Sequence, residues 1–402
     1  MSSPHSKQQP IAITNGRLIL PHSIVIDRAL LIKDGKILGF CATDQVESEF
    51  ELVDAGERYV TPGLIDIHTH GALGHSFNEP DEAAWEIITA ENLRHGVTSL
   101  LARLGAAPLE ELLACLALAR EWKKKPHAGS QILGVHSEGP FLNMAQKGAQ
   151  DPQGIQPLAS EAVEKLLAYA DVLILMTYAP EISGALDFTD RLRELGIIAA
   201  AGHSSAHDSD LFAAYEHGLR HAVHIWSSQS SVIREGPWRK PGLLEATLTM
   251  DGLTAEMISD NRHLPPTLMK LAYRCKGADQ LCVVSDASSA AGFPDGTRFD
   301  FDGLECEVNN GVAMLVDQTA FAGSTTLLNQ MIPILTDVVN IPLVEAVRMA
   351  SLTPARVIHV ERTKGSLETG KDADLVIFEP DFRVCRAMVG GQWVIPSSAS
   401  KS

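Results

Sequence analysis

Apolar strand-like runs alternating with helical periodicity, polar residues ending those runs, and β-rich segments at both termini predict an α/β chain. The expected architecture is a (β/α)8 TIM barrel with a small composite β-sandwich domain formed by the N- and C-terminal segments. Strand–helix alternation calls for a parallel sheet with crossover helices. Metal- or proton-binding residues at strand ends belong to the C-terminal face of such a barrel. The two β-rich ends stand outside the alternation and are expected to pair with each other. The expected boundaries are 1–61 and 361–402 for the two parts of the small domain and 62–360 for the barrel.

From Ile11 to Glu57, short β-rich runs (Ala12 to Thr14, Ile24 to Ile26, Ala29 to Ile32) are separated by turn signals at Asn15-Gly16 and Asp34-Gly35. The barrel strands are expected at Leu64 to His68, Val97 to Leu101, Ile132 to His136, Val172 to Thr177, Ile197 to Ala201, Ala222 to His224, Leu253 to Ile258 and Leu281 to Ser285. Between them, Glu110 to Lys123, Ser160 to Ala170, Phe188 to Leu195 and Pro265 to Arg274 place apolar residues at three- and four-residue spacing, the helical signature. Phe299 to Val316, with Asn310-Gly311 at its middle, reads as a β-hairpin inserted after the eighth strand. Asp374 to Phe378, Ala387 to Val389 and Gln392 to Ile395 close the small domain, and Pro396 to Ser402 is a small, polar, loose tail. An open doubly wound sheet would call for a Gly-rich phosphate loop near the first strand, and the sequence has none.

With 402 residues, 45% hydrophobic and 21% charged, the chain is globular material and not a disordered one. Its net charge of -17 argues against nucleic acid or an anionic membrane surface as partner. An anionic small substrate would need a local basic pocket. The six cysteines are scattered, without a C-x-x-C pair, so neither a disulfide framework nor a cysteine zinc site is expected. Met1 to Pro10 lacks the apolar core of a signal peptide and no run is long and apolar enough to span a bilayer, so a soluble, cytoplasmic protein is expected.

The chemistry gathers at strand ends. His68 and His70, two residues apart, share a strand face and can aim at one divalent metal. Glu138, in Ser137-Glu138-Gly139-Pro140, ends a buried strand, where a carboxylate costs several kcal/mol unless an arginine or a metal meets it. His203 and His224 end two further strands; His221 lies three residues earlier, on what alternation makes the opposite face, and is set aside. Asp286 ends the eighth strand, where it can take a proton from a water whose pKa a metal has lowered from about 15.7 towards about 7, or cap the following segment, or both.

In this order the motifs His-x-His, Glu-Gly-Pro, Gly-His-Ser, His and Asp-Ala resemble the amidohydrolase superfamily. Together with Val60-Thr61-Pro62-Gly63, Lys147-Gly148-Ala149, Thr177 to Glu181 and Ala322-Gly323-Ser324, they make the chain similar to the N-acetylglucosamine-6-phosphate deacetylases. The resemblance implies that Glu138, His203 and His224 hold the main metal, that Asp286 is general base and acid, and that His68 and His70 support a second metal. It implies one or two divalent ions per chain, zinc first, with iron, manganese or cobalt as alternatives. It also implies that His263 helps to hold the sugar phosphate, and that a neighbouring subunit of a homodimer lends a phosphate arginine, matched by Arg239 with Arg234 as rival. Three departures fall in the pocket: Gln150 stands where the family has a histidine, Ser227-Ser228 where it has Asn-Ala, and Asp260-Asn261 where it has Asp-Gly. The expected activity is metal-dependent deacetylation of an N-acetylated amino sugar, N-acetylglucosamine 6-phosphate first. The alternatives are hydrolysis of another amide, cyclic amide or N-acyl amino acid, and a silent sugar-phosphate-binding relative.

Overall fold

The computed structural model describes residues 9–301 and 303–395. The opening stretch Met1 to Gln8 and the tail Pro396 to Ser402, read above for leader and looseness, lie outside the described residues.

Eight parallel strands form one sheet in strict chain order: β1 (Leu64–Thr69), β2 (Val97–Leu104), β3 (Gln131–Glu138), β4 (Leu173–Tyr178), β5 (Ile198–Ala201), β6 (His221–Ala222), β7 (Thr254–Ile258) and β8 (Leu281–Val284). Sequential order is that of a barrel, since a doubly wound sheet reverses direction at a switch point. The seam between β8 and β1 is joined just past the end of β8, where Asp286 N donates to His68 O at 2.9 Å. Every residue of β1 and β2 is buried, as expected of strands covered on both faces. Gly63 permits the close start of β1 against β2, because a Cβ there would lie 2.0 Å from Thr98 Oγ1.

Helices alternate with the strands: α1 (Glu82–Arg94), α2 (Leu109–Trp122), α3 (Ser160–Leu167), α4 (Ala185–Glu194), α5 (Asp208–His217), α6 (Leu243–Thr249) and α7 (Pro266–Lys276). Helix α1 begins where Asp81 accepts from Ala83 N, and it buries Trp85 and Ile88 against the barrel. After β8 the chain makes an insertion wider than the expected hairpin. Arg298–Phe301, Leu304–Asn309, Val312–Leu315 and Phe321–Ser324 form a four-stranded antiparallel sheet, because the Ala322-Gly323-Ser324 segment pairs back onto Val312–Leu315.

The small domain is a sandwich of a four-stranded sheet from the N-terminal segment and a six-stranded sheet shared by both ends. In the shared sheet Tyr59–Pro62 pairs with Leu375–Phe378, Val60 opposite Ile377. Its own apolar core, including Ile13, Leu18, Leu30, Val60, Leu375 and Met388, lies between the two sheets. No helix of the described residues is long and apolar enough to cross a membrane.

Candidate metal centre and active site

The C-terminal ends of the barrel strands bring the predicted donors together. Glu138, the last residue of β3, is fully enclosed, and its Oε1 meets His203 Nε2 at 2.8 Å and His224 Nε2 at 2.5 Å. His203 donates from Nδ1 to Gln146 O at 2.9 Å, which leaves the Nε2 lone pair facing Glu138. Burial, together with the neighbouring imidazoles, lowers His224 to about 4 and holds His203 well below the usual histidine range, so both rings stay neutral, as metal ligands must be. His203, His224 and Asp286 all have positive φ, at 47°, 23° and 48°. Such strained turns at strand ends aim side chains into the barrel mouth.

His68 supplies the clearest sign of an ion. Its Nδ1 donates to Glu256 Oε2 at 2.7 Å, so its Nε2 carries a lone pair. That Nε2 is buried without a hydrogen-bond partner, 3.5 Å from Glu138 Oε2 and 3.4 Å from Asp286 Oδ1. A lone pair facing two carboxylates is repulsive unless positive charge stands beside them, and on the Glu138 Oε2 side Arg103 supplies part of that charge. The donor atoms of His68, Glu138 and His224 lie within 4.8 Å of one another, as do those of His68, His70 and Asp286. His203 lies in neither trio, and its Nε2 meets Glu138 Oε1, as that of His224 does. The Glu138, His203 and His224 donors fit a divalent cation.

His70, expected to support a second metal beside His68, stands in the cluster with His68 and Asp286, where Arg103 also touches it. Arg103 Nη1 donates to its Nδ1 at 2.6 Å, and its Nε2 lies 2.8 Å from Asp286 Oδ1. Burial and then Arg103 lower His70 to about 3, so the ring is neutral. Because arginine can only donate, the single ring proton is on Nε2 and points at Asp286. Asp286 is held below the usual carboxylate range although burial opposes this; His70, then His68 and His224, outweigh it.

Gln150 also turns towards the metal side. Its Nε2 donates to Glu138 Oε2 at 2.9 Å while its Oε1 accepts from Ala106 N. Ser227, Ser228 and His263 line a cavity of about 460 Å³ above the donors, within the range of small-molecule sites. Gly148, at φ +55°, lets its loop close on Ser228, whose Oγ would lie 2.5 Å from a Cβ there. Asp260 Oδ2 holds His263 Nδ1 at 2.7 Å, and Phe301 and Phe321 of the inserted sheet form part of the wall. Arg234 and Arg239 line no part of this cavity. They sit opposite each other on an exposed hairpin, Ile233–Glu235 with Trp238–Lys240.

Five residues of the site were missed by sequence reasoning. Arg103, inside the apolar run of β2, pairs with Glu138. Glu256, inside β7, receives His68 and, at 3.1 Å, His221 Nε2; His221, dismissed on the alternation of a strand, thus supports the site from below. His136 Nε2 lies 2.8 Å from Thr177 Oγ1. Asp66 Oδ1 accepts from His68 N and Ser285 N, and burial raises it to about 7. The signal available for Arg103 and Glu256 was a charge within an otherwise apolar strand, which persists only when paired.

If Glu256 orients His68 for a metal, Glu256→Gln is expected to weaken metal binding about 10- to 100-fold, read by competition with a chelator. Unchanged affinity would leave Glu256 a structural carboxylate only.

The model of the Amidohydrolase family matches residues 59–394. Over 384 residues the chain is 31% identical to the N-acetylglucosamine-6-phosphate deacetylase of Haemophilus influenzae, spanning 95% of this chain and 98% of that one. The fold matches the crystal structure of the N-acetylglucosamine-6-phosphate deacetylase of Pasteurella multocida with a TM-score of 0.90 at 30% identity, over 96% of this chain and 99% of the other. It also matches a variant of the Mycobacterium smegmatis deacetylase in complex with N-acetyl-D-glucosamine-6-phosphate, with a TM-score of 0.88 at 27% identity over 97% and 100%.

Proposed function

The chain belongs to the amidohydrolase family, in the branch of the N-acetylglucosamine-6-phosphate deacetylases, and on that premise we propose that it removes the acetyl group from a phosphorylated N-acetyl amino sugar. The products are acetate and the amino sugar phosphate. The observation that carries this reading is the convergence of His203 and His224 on Glu138 beneath the cavity, with the unpartnered His68 Nε2 and Asp286 beside them. Family membership implies a divalent metal, and we assign it to Glu138, His203 and His224, with His68 facing the same space; zinc suits such donors first. When bound, the ion polarises the amide carbonyl and makes a water acidic enough to attack at neutral pH.

The chain's own groups do the rest. Asp286, oriented by His70 Nε2–H, takes a proton from the attacking water and returns it to the nitrogen as the C–N bond breaks. Gln150, Ser227, Ser228 and His263 are placed to hold the sugar, and Gln150 also donates to Glu138.

We further propose a cytoplasmic homodimer; six free cysteines are consistent with a reducing compartment. The exposed hairpin, with Trp238 72% exposed, is suited to reach a second copy, and Arg239 is assigned ahead of Arg234 to the phosphate in the neighbour's cavity. Losing a charge-assisted contact to phosphate costs about 1.5–3 kcal/mol. Arg239→Ala is therefore expected to raise KM for the 6-phosphate about 10- to 100-fold while leaving unphosphorylated sugar unaffected. A fully active monomer in sedimentation would refute the shared site.

The deciding experiment measures acetate release from N-acetylglucosamine, its galactosamine epimer and both 6-phosphates. One observation favours a second reading, hydrolysis of a different amide: Gln150, Ser227 and Ser228, which depart from the resembled family, all line the cavity. Silence on all four sugars with turnover of an N-acyl amino acid or a cyclic amide would establish that reading instead.

A further inference from the structure

We propose that Arg103 makes this a one-metal site: by its contacts with His70 and Glu138 it bars a second ion from the cluster of His68, His70 and Asp286. The inference rests on the metal-dependent reading above, but not on the identity of the substrate.

A second ion at that cluster needs the Nε2 lone pair of His70 and a share of the Glu138 carboxylate. Neither is available. Arg103 Nη1 donates to His70 Nδ1 at 2.6 Å, and a guanidinium has no acceptor, so the ring's one proton must sit on Nε2, where it is spent on Asp286 Oδ1 at 2.8 Å. A nitrogen that carries a proton cannot ligate. On the other side the Arg103 Nη2 group pairs with Glu138 Oε2, and Gln150 Nε2 donates to the same oxygen at 2.9 Å. Glu138 therefore offers Oε1, already faced by His203 and His224, and has no oxygen left to bridge.

Charge works in the same direction. Arg103 is 1% exposed and permanently cationic, and it stands against the two groups, Glu138 and His70, that a second dication would have to share. It supplies Glu138 with the positive partner that a second ion would otherwise be, and like charge repels any ion that approaches. Its remaining effect falls on Asp286. By fixing the tautomer of His70, Arg103 gives Asp286 a hydrogen-bond donor instead of a metal, which makes it a positioning residue for the proton carrier.

The test is metal content per folded chain, read by elemental analysis after exposure to excess zinc or manganese and removal of free ion, with no substrate present. The wild type is expected to hold one ion, and Arg103→Ala, which frees the His70 tautomer and Glu138 Oε2, is expected to hold two. Arg103→Ala with His70→Ala should return to one, and His70→Ala alone should stay at one. If Arg103→Ala does not fold, Arg103→Gln, which removes the charge while keeping an amide near Glu138, carries the same expectation. Two ions in the wild type, or one in both folded Arg103 variants, would overturn the inference. No ion at all in the wild type would overturn the metal-dependent reading along with it, whereas a failure to release acetate from the sugars leaves the ion count, and this inference, as measured.

Discussion

Glu138→Gln is expected to leave a folded chain without its metal and with turnover at background. Glu138 Oε1 is the point on which His203 and His224 converge, and Oε2 is the acceptor for Arg103 and Gln150. An amide in its place loses the negative charge that draws the cation, and it must present an NH2 either to those imidazoles or to two groups that themselves only donate towards it. Removing one member of a buried ion pair costs about 3–5 kcal/mol, so the melting temperature should fall. The barrel should nevertheless survive, because Arg103 keeps His70 as an acceptor and the core of the barrel is apolar. Metal analysis, acetate release and circular dichroism on one preparation decide the matter. A variant with full metal and full turnover would remove Glu138 from the site.

For Asp286→Asn the expectation is a different split: metal and substrate affinity kept, kcat lower by about 10² to 10⁴ or more. Asparagine retains an oxygen to accept from His70 Nε2–H, so the ring stays in place. The left-handed backbone at this position, φ 48°, suits asparagine as well as aspartate, so the substitution adds no strain. The seam bond from the residue's backbone N–H to His68 O is untouched. What asparagine cannot do is take the proton of the attacking water, and an amide nitrogen leaves poorly without one. Loss of metal in this variant would make Asp286 a ligand; a near-normal kcat would move the proton carrier elsewhere, with His263, which lines the same cavity, next to test.

The barrel was legible because its strands are largely buried apolar runs, most of them closed by a polar residue. Glu138, His203, His224 and Asp286 stood out for the same reason: a polar group after an apolar run is visible against its background. Arg103 and Glu256 sit inside their runs, where one charge among apolar neighbours reads as noise until the pairing partner, Glu138 or His68, is seen across the barrel. His221 was set aside by a rule of alternation that assumes an extended chain. The strand there is only His221–Ala222, and by His224 the backbone has turned to positive φ, so both rings reach the interior. The direction of Gln150 was not readable at all, since it depends on Ala106, in the loop after β2, and on Glu138, at the end of β3.

The sandwich ties the first strands of the chain to its last ones, and this bears on how the protein is made. Lys36 and Asp372, 336 positions apart, touch across the small domain, and Tyr59–Pro62 finds its partner only in Leu375–Phe378. During synthesis at about 5–20 residues per second, the interval between those two strands lasts about 15–60 s. Throughout it the nascent N-terminal sheet displays an open hydrogen-bonding edge at Tyr59–Pro62 and the uncovered apolar faces of Leu18, Leu30 and Val60. The barrel between them holds every strand it needs before the C-terminal strands emerge. Closure of the small domain thus waits for Leu375–Phe378, and the period before it is when the chain is most exposed to aggregation and most in need of a chaperone.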